Sequence, residues 1–165
     1  MSFSLSASYI PLKYAAQKYG IPEQSLIDKV KSGSIASGRL PDGELLVAEH
    51  EIDPSLNIRR EDFAHLRGCP ISMSEASRKY STNETVIPQQ NFSRWAQAKY
   101  IKVLERGWKV LLDEADVAYC AAVYNAKKKA YGELQGVPLF DENGNPYRLK
   151  YPEIATKKRQ RRRQE

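Results

Sequence analysis

The chain has 165 residues, 41% of them hydrophobic and 28% charged, with a formal net charge of +6. That length and balance suit one ordinary globular domain or two very small ones, and no apolar run approaches the ~20 residues that a membrane-spanning helix needs. The charge is uneven: residues 157–165 carry Lys157, Lys158, Arg159, Arg161, Arg162 and Arg163 against Glu165, a local +5 that leaves +1 for the preceding 156 residues.

Residues Met1–Tyr9 offer neither a basic start nor a long apolar stretch, so a signal peptide is not expected. Leu12, Ala15, Ala16 and Tyr19 then recur at helical spacing. Gly20 is a helix stop and Pro22 suits the start of a second helix, whose inner face is Leu26, Ile27 and Val30. After Gly33, Ser34–Arg39 and Leu45–Val47 read as short strands around the turn Pro41-Asp42-Gly43. Residues 57–69 read as a linker in which Ile58, Phe63 and Leu66 allow a short helix.

Ser72 with Glu75 is a capping box that opens the next helix, striped by Met73, Ala76 and Tyr80. Ser81–Val86 is a polar insertion. Pro88–Ala98 is again a helix, with Phe92, Trp95 and Ala96 facing inward. Tyr100–Leu104 and Trp108–Leu112 alternate as strands around Glu105-Arg106-Gly107. Asp113 and Asp116 cap a long helix, Glu114–Leu134, striped by Val117, Cys120, Tyr124, Lys127, Tyr131 and Leu134. That stripe reads either as core or as a homodimer contact through helix 114–134. A hairpin around Asp141–Asn145 follows, and residues 155–165 form a basic tail too polar to fold alone.

The two stretches are copies of one another. Tyr9–Tyr19 lies over Pro70–Tyr80, and after five extra residues Ile21–Leu26 lies over Ile87–Phe92, with the match running on to Ile35 over Ile101. The expected organisation is therefore a first unit over 1–56, a linker over 57–69, a second unit over 70–134, a hairpin extension over 135–154 and the tail. The expected fold is mainly α with small β-hairpin wings.

Short helix, tight turn, second helix and β-ribbon make up a winged helix-turn-helix. At Ala15-Ala16, Gly20-Ile21-Pro22, Leu26, Val30 and Gly33 in the first copy, and at Glu75-Ala76, Ile87, Phe92-Ser93-Arg94-Trp95 and Ala98–Ile101 in the second, the sequence resembles the MerR-type and excisionase-type families. The resemblance spans residues 9–52 and 70–134 and implies a sequence-specific double-stranded DNA-binding protein, a transcriptional regulator or a recombination accessory factor. The chain departs from the pattern in three places. The insertion at 81–86 replaces Gly20, Lys99 stands where a glycine precedes the wing, and Asp28 or Lys29 takes the place of the recognition-helix arginine in copy one.

A helix in the major groove needs paired donors and acceptors for base edges and cations for phosphate. The second copy supplies Gln89, Gln90, Asn91, Ser93, Arg94 and Gln97 on its second helix, and Lys99, Lys102, Arg106 and Lys109 along its wing. The first copy supplies Gln24, Ser25 and Lys29, but beside Glu23 and Asp28, whose charges phosphates would repel. Copy two is the expected reader, with the tail (Lys157, Lys158, Arg159, Arg161, Arg162, Arg163) adding phosphate contacts. The plainer alternatives are a surface ion pair for Arg94, core for Trp95 and a solvated face for Lys127–Lys129.

Phosphate-loop, zinc-protease and nucleophile-elbow motifs are absent, so an enzyme is not expected. His50, His65, Cys69 and Cys120 lack metal-ligand spacing, and two cysteines cannot form a dense disulfide framework. No metal or cofactor is expected, and the expected location is cytoplasmic and nucleoid-associated. The competing reading is an adaptor that uses the same scaffold to bind a recombinase or a component of the transcription machinery, motivated by the acidic first copy.

Overall fold

The structure is a computed structural model that describes residues 9–131 and 138–148. Residues 9–54 with Arg148 form one compact unit, and 55–131 with 138–147 form a second. The residues read as a linker therefore belong to the second unit, where the 3-10 helix Arg60–Leu66 packs on its long helix.

In the first unit the order is β1 (Tyr9–Pro11), α1 (Leu12–Tyr19), α2 (Glu23–Lys31), β2 (Ser37–Arg39), β3 (Leu45–Ala48) and the short α3 (Glu49–Ile52). In the second it is β4 (Pro70–Ser72), α4 (Met73–Tyr80), α5 (Gln89–Gln97), β5 (Val103–Arg106), β6 (Val110–Asp113) and α6 (Glu114–Tyr131). Each unit carries a three-stranded antiparallel sheet, ordered β1-β3-β2 and β4-β6-β5. The fold is thus mixed α and β rather than mainly α with two-stranded wings. The extra strands, β1 and β4, contain Pro11 and Pro70, which an edge strand tolerates because one side of it needs no ladder donor.

The copies agree bond for bond where α2 and α5 end. Ser32 N–H donates to the Asp28 carbonyl at 2.9 Å and Ala98 N–H to that of Arg94 at 2.9 Å. Gly33 to Val30 and Lys99 to Ala96 are both 3.1 Å, and Ser34 to Lys29 and Tyr100 to Trp95 both 2.9 Å. Gly33 takes the left-handed conformation (φ 77°), and so does Lys99 (φ 66°), the one non-glycine among the described residues to do so. A Cβ there crowds the following carbonyl, so Lys99 holds a conformation that its counterpart leaves to glycine.

The helices bury part of the stripes expected of them, Leu12, Ala15, Ala16 and Tyr19 on α1, Leu26 on α2, Ala76 on α4, and Phe92 and Trp95 on α5, while Ile27, Val30, Met73, Tyr80 and Ala96 are half-buried. Trp95 is core, edge-on to Phe92 (centroids 5.2 Å apart) and to Tyr124 (5.8 Å). The insertion Ser81–Val86 closes on itself through Thr82 N–H to the Thr85 carbonyl (2.8 Å), and Ile87 N–H donates to Ser81 Oγ (2.9 Å). On α6, Val117 and Cys120 lie in the unit's own core and Tyr124 packs against them, while Lys127 is buried and donates to the Tyr147 carbonyl at 2.7 Å. From Val117 to Lys127 the stripe packs within its own unit, with Tyr124 half-buried. Leu134 lies outside the described residues. The expected C-terminal hairpin is represented by one bridge, Phe140 to Pro146, around the Asp141–Asn145 turn.

One polar device occurs in both units. Lys18 and Tyr19 at the end of α1 both donate to Glu49, the first residue of α3 (Tyr19 Oη at 2.7 Å). Lys79 and Tyr80 at the end of α4 both donate to Glu114, the first residue of α6 (Tyr80 Oη at 2.8 Å). Each carboxylate fastens a helix C-terminus to the junction of sheet and next helix. In the first unit Arg148 also grips Glu49. Burial alone would raise the Glu49 carboxyl, but hydrogen bonds from Arg148, Lys18 and Tyr19 outweigh it and hold the carboxyl below its ordinary 4.5. The Glu114 carboxyl is held low first by Lys79, against a smaller opposing effect of burial.

Candidate nucleic-acid interface

With Phe92, Trp95 and Ala96 turned inward, the 100° step per residue places Gln90, Ser93, Arg94 and Gln97 together on the outer side of α5. Gln89, Gln90, Arg94 and Gln97 are exposed, and Asn91 and Ser93 are half-buried. Among the described residues no hydrogen bond or ion pair engages the side chains of Gln90, Arg94 or Gln97. The face carries amide donors and acceptors, a hydroxyl and a guanidinium, with no acid.

Immediately after α5 the left-handed turn at Lys99 swings the chain into β5. Lys99, Lys102 and Arg106 line one shallow cup of about 460 Å3, joined by Arg60 and Asp116. Asp116 is spoken for: it accepts from Arg60 (2.9 Å), Arg67 (3.0 Å) and the Lys102 backbone N–H (2.9 Å). Arg60 also donates to the Tyr100 carbonyl at 3.2 Å and lies over the Tyr119 ring, 4.4 Å from its centroid. The net charge of the cup is positive, and three of its cations project from the α5–β5 turn and ribbon. Lys109, farther along the ribbon, is exposed and stands 4.0 Å from Glu75, an ion pair too open to hold it in place.

The equivalent surface of the first unit differs in kind. Gln24 is exposed but bonded to Asp28 at 3.0 Å, Ser25 is half-buried, and Lys29 is exposed. Asp28 occupies the position of Arg94. Its ribbon ends in Leu40–Glu44, where Glu44 N–H donates to Asp42 Oδ1 (2.9 Å) and Arg39 donates to the Gly43 carbonyl (3.3 Å).

The expected residues of α5 and of the second ribbon therefore come together on one unit, whereas those of the tail, Lys157, Lys158, Arg159, Arg161, Arg162 and Arg163, lie outside the described residues. Reading the sequence missed Arg60 and Arg67 and their pairing with Asp113 and Asp116. Asp113 and Asp116 read as caps, and Asp113 does accept from Ala115 N–H (3.1 Å), but Asp116 turns toward the arginines. Nothing in the local pattern marks those partners, which stand 49 and 56 positions away. Trp108, read from the sequence as the start of the strand Trp108–Leu112, lies instead in the turn Gly107–Lys109, because the ribbon's strands run Val103–Arg106 and Val110–Asp113. Among the described residues no helix is long and apolar enough to cross a membrane. Comparison with known proteins finds no family model, curated protein or solved structure that matches the chain.

Proposed function

We propose that the chain binds double-stranded DNA in a sequence-specific manner through its second unit, as a transcriptional regulator or recombination accessory factor of the winged helix-turn-helix kind. One observation carries this reading: α5 has an acid-free outer face with Gln90, Arg94 and Gln97 unengaged, and the turn and ribbon that follow α5 gather Lys99, Lys102 and Arg106 around one cup. Glutamine can bond adenine through two atoms and arginine can bond guanine likewise, while the cup suits a backbone phosphate beside the groove that α5 enters. Two linked units give the second a longer footprint if the first touches the same duplex, and the basic tail adds affinity that depends on salt.

Selection from random duplexes followed by gel shift at moderate salt tests this. A preferred site should emerge, and Arg94→Ala should weaken binding there by about 1–3 kcal/mol while relaxing preference at one base pair. Equal binding to every duplex would defeat the proposal. That result would favour the second reading, an adaptor for a recombinase or transcription component. The observation behind that alternative is the Gln24–Asp28 pair and acidic ribbon of the first unit.

A further inference from the structure

Trp108 sits in the three-residue turn between β5 and β6 and is fully exposed, 100% of its surface open to water. The next most exposed large apolar side chain among the described residues, Val86, is 67% exposed. An indole is the largest apolar side chain, and holding all of it in water forgoes the burial that normally stabilises a fold. Its surroundings are charged: Arg106 ends β5 before it and Lys109 follows it, both exposed. The ribbon that carries it is firm, for β6 is paired on both sides, with β4 and β5. The register between β5 and β6 shifts between Val103 and Glu105, the kind of irregularity that adds twist and re-aims a ribbon's tip. The first unit's ribbon ends instead in Pro41-Asp42-Gly43, with no aromatic and with acids.

We infer that Trp108 is a wedge that enters the minor groove of duplex DNA and stacks against a base step, with Arg106 and Lys109 held by the phosphates on either side. The inference rests on the DNA-binding reading and adds to it a residue and a mode of contact. The groove is narrow, so the planar indole enters while the ribbon backbone stays outside. Apolar wedges of this kind partly unstack a step and bend the duplex toward the major groove. A polyanion is the partner that matches the two flanking cations; an apolar protein surface would leave both desolvated.

The two tryptophans separate cleanly in a spectroscopic test, because Trp95 is buried (6% exposed) and Trp108 is not. The full chain is titrated with its selected duplex, with tryptophan emission and acrylamide quenching as readouts. Duplex bending is followed by energy transfer between end labels. Trp108 emission should be quenched by stacking and lose its access to acrylamide when DNA is bound. Trp108→Ala should bind about 10-fold more weakly and bend the duplex less, whereas Trp108→Phe should retain most of both. Far-UV circular dichroism checks that the variants fold, as a wholly exposed side chain predicts. If Trp108→Ala binds and bends DNA like the parent, and the indole stays open to acrylamide in the complex, the wedge is refuted while DNA binding stands, and the ring belongs to a protein contact. If the parent chain binds no duplex, the DNA-binding reading fails and the wedge with it.

Discussion

The two units share a scaffold and differ on their surfaces. Strand order, the closing bonds of α2 and α5, and the lysine–tyrosine–glutamate device recur in both. What differs is which side chains the scaffold displays. Asp28, bonded to Gln24, becomes Arg94, unengaged; a proline-aspartate-glycine tip becomes Arg106-Gly107-Trp108-Lys109; Gly33 becomes Lys99. The interior of a duplicated element is constrained by packing, while its outer face is free to take another chemistry.

Substitutions at paired positions test this division between shared interior and divergent surface. The largest effects belong to the shared interior. Leu26 and Phe92 are fully buried at equivalent places, so Leu26→Ala should cost about 2–5 kcal/mol and Phe92→Ala about 3–5 kcal/mol in denaturant unfolding. A near-neutral result at either position would break the equivalence of the two cores. Next come the surfaces. Against the loss expected for Arg94→Ala, Asp28→Ala should change DNA affinity by less than about 0.5 kcal/mol, because the Asp28 carboxylate is bonded to Gln24 and offers no donor to a base edge or phosphate. A comparable loss from both would put both units on the duplex as readers.

The paired carboxylates separate the units by degree. Glu49 is fully buried and has three side-chain donors, so Glu49→Gln should cost about 2 kcal/mol at neutral pH. Glu114→Gln should cost less than about 1 kcal/mol, since Lys79 is more than half exposed and solvent screens the pair. Both carboxyls are depressed below 4.5 in the folded chain. Their contribution is therefore present above the unfolded carboxylate value and is lost as pH falls through the lower folded one. Unfolding free energies of parent and Glu49→Gln should converge below pH 4.5; curves that stay parallel would show that the carboxylate charge contributes nothing.

One further effect has an unusual sign. Lys99→Gly relieves the left-handed backbone and should raise stability by about 0.5–1 kcal/mol. It should also weaken DNA binding, by removing a cation from the cup. Thermal melts and gel shifts on the same variant would read both, and a variant both less stable and equally tight in binding would contradict the argument.

The repeat was legible in the sequence because its signal is local. Helical stripes such as Leu12-Ala15-Ala16-Tyr19, and turn residues such as Gly20 and Gly33, act within a few positions of one another. β1 and β4 were illegible because three residues that include a proline show no alternation. The inclusion of 57–69 in the second unit was illegible for a different reason. It depends on Arg60 and Arg67 reaching Asp116 and on Phe63 packing near Tyr119, encounters that only the folded chain creates. The outer face of α5 followed once Phe92 and Trp95 were recognised as core, whereas the isolation of Trp108 became evident only when its neighbours were seen to leave it bare.

In the second unit β6 ends at Asp113 and α6 begins at Glu114, so ribbon and long helix meet with no slack between them. Asp113 stiffens the joint by accepting from Gly68 N–H (3.2 Å) and Ala115 N–H (3.1 Å). Hinge motions draw on loop residues to absorb the change in backbone angles, and no loop separates the ribbon from α6.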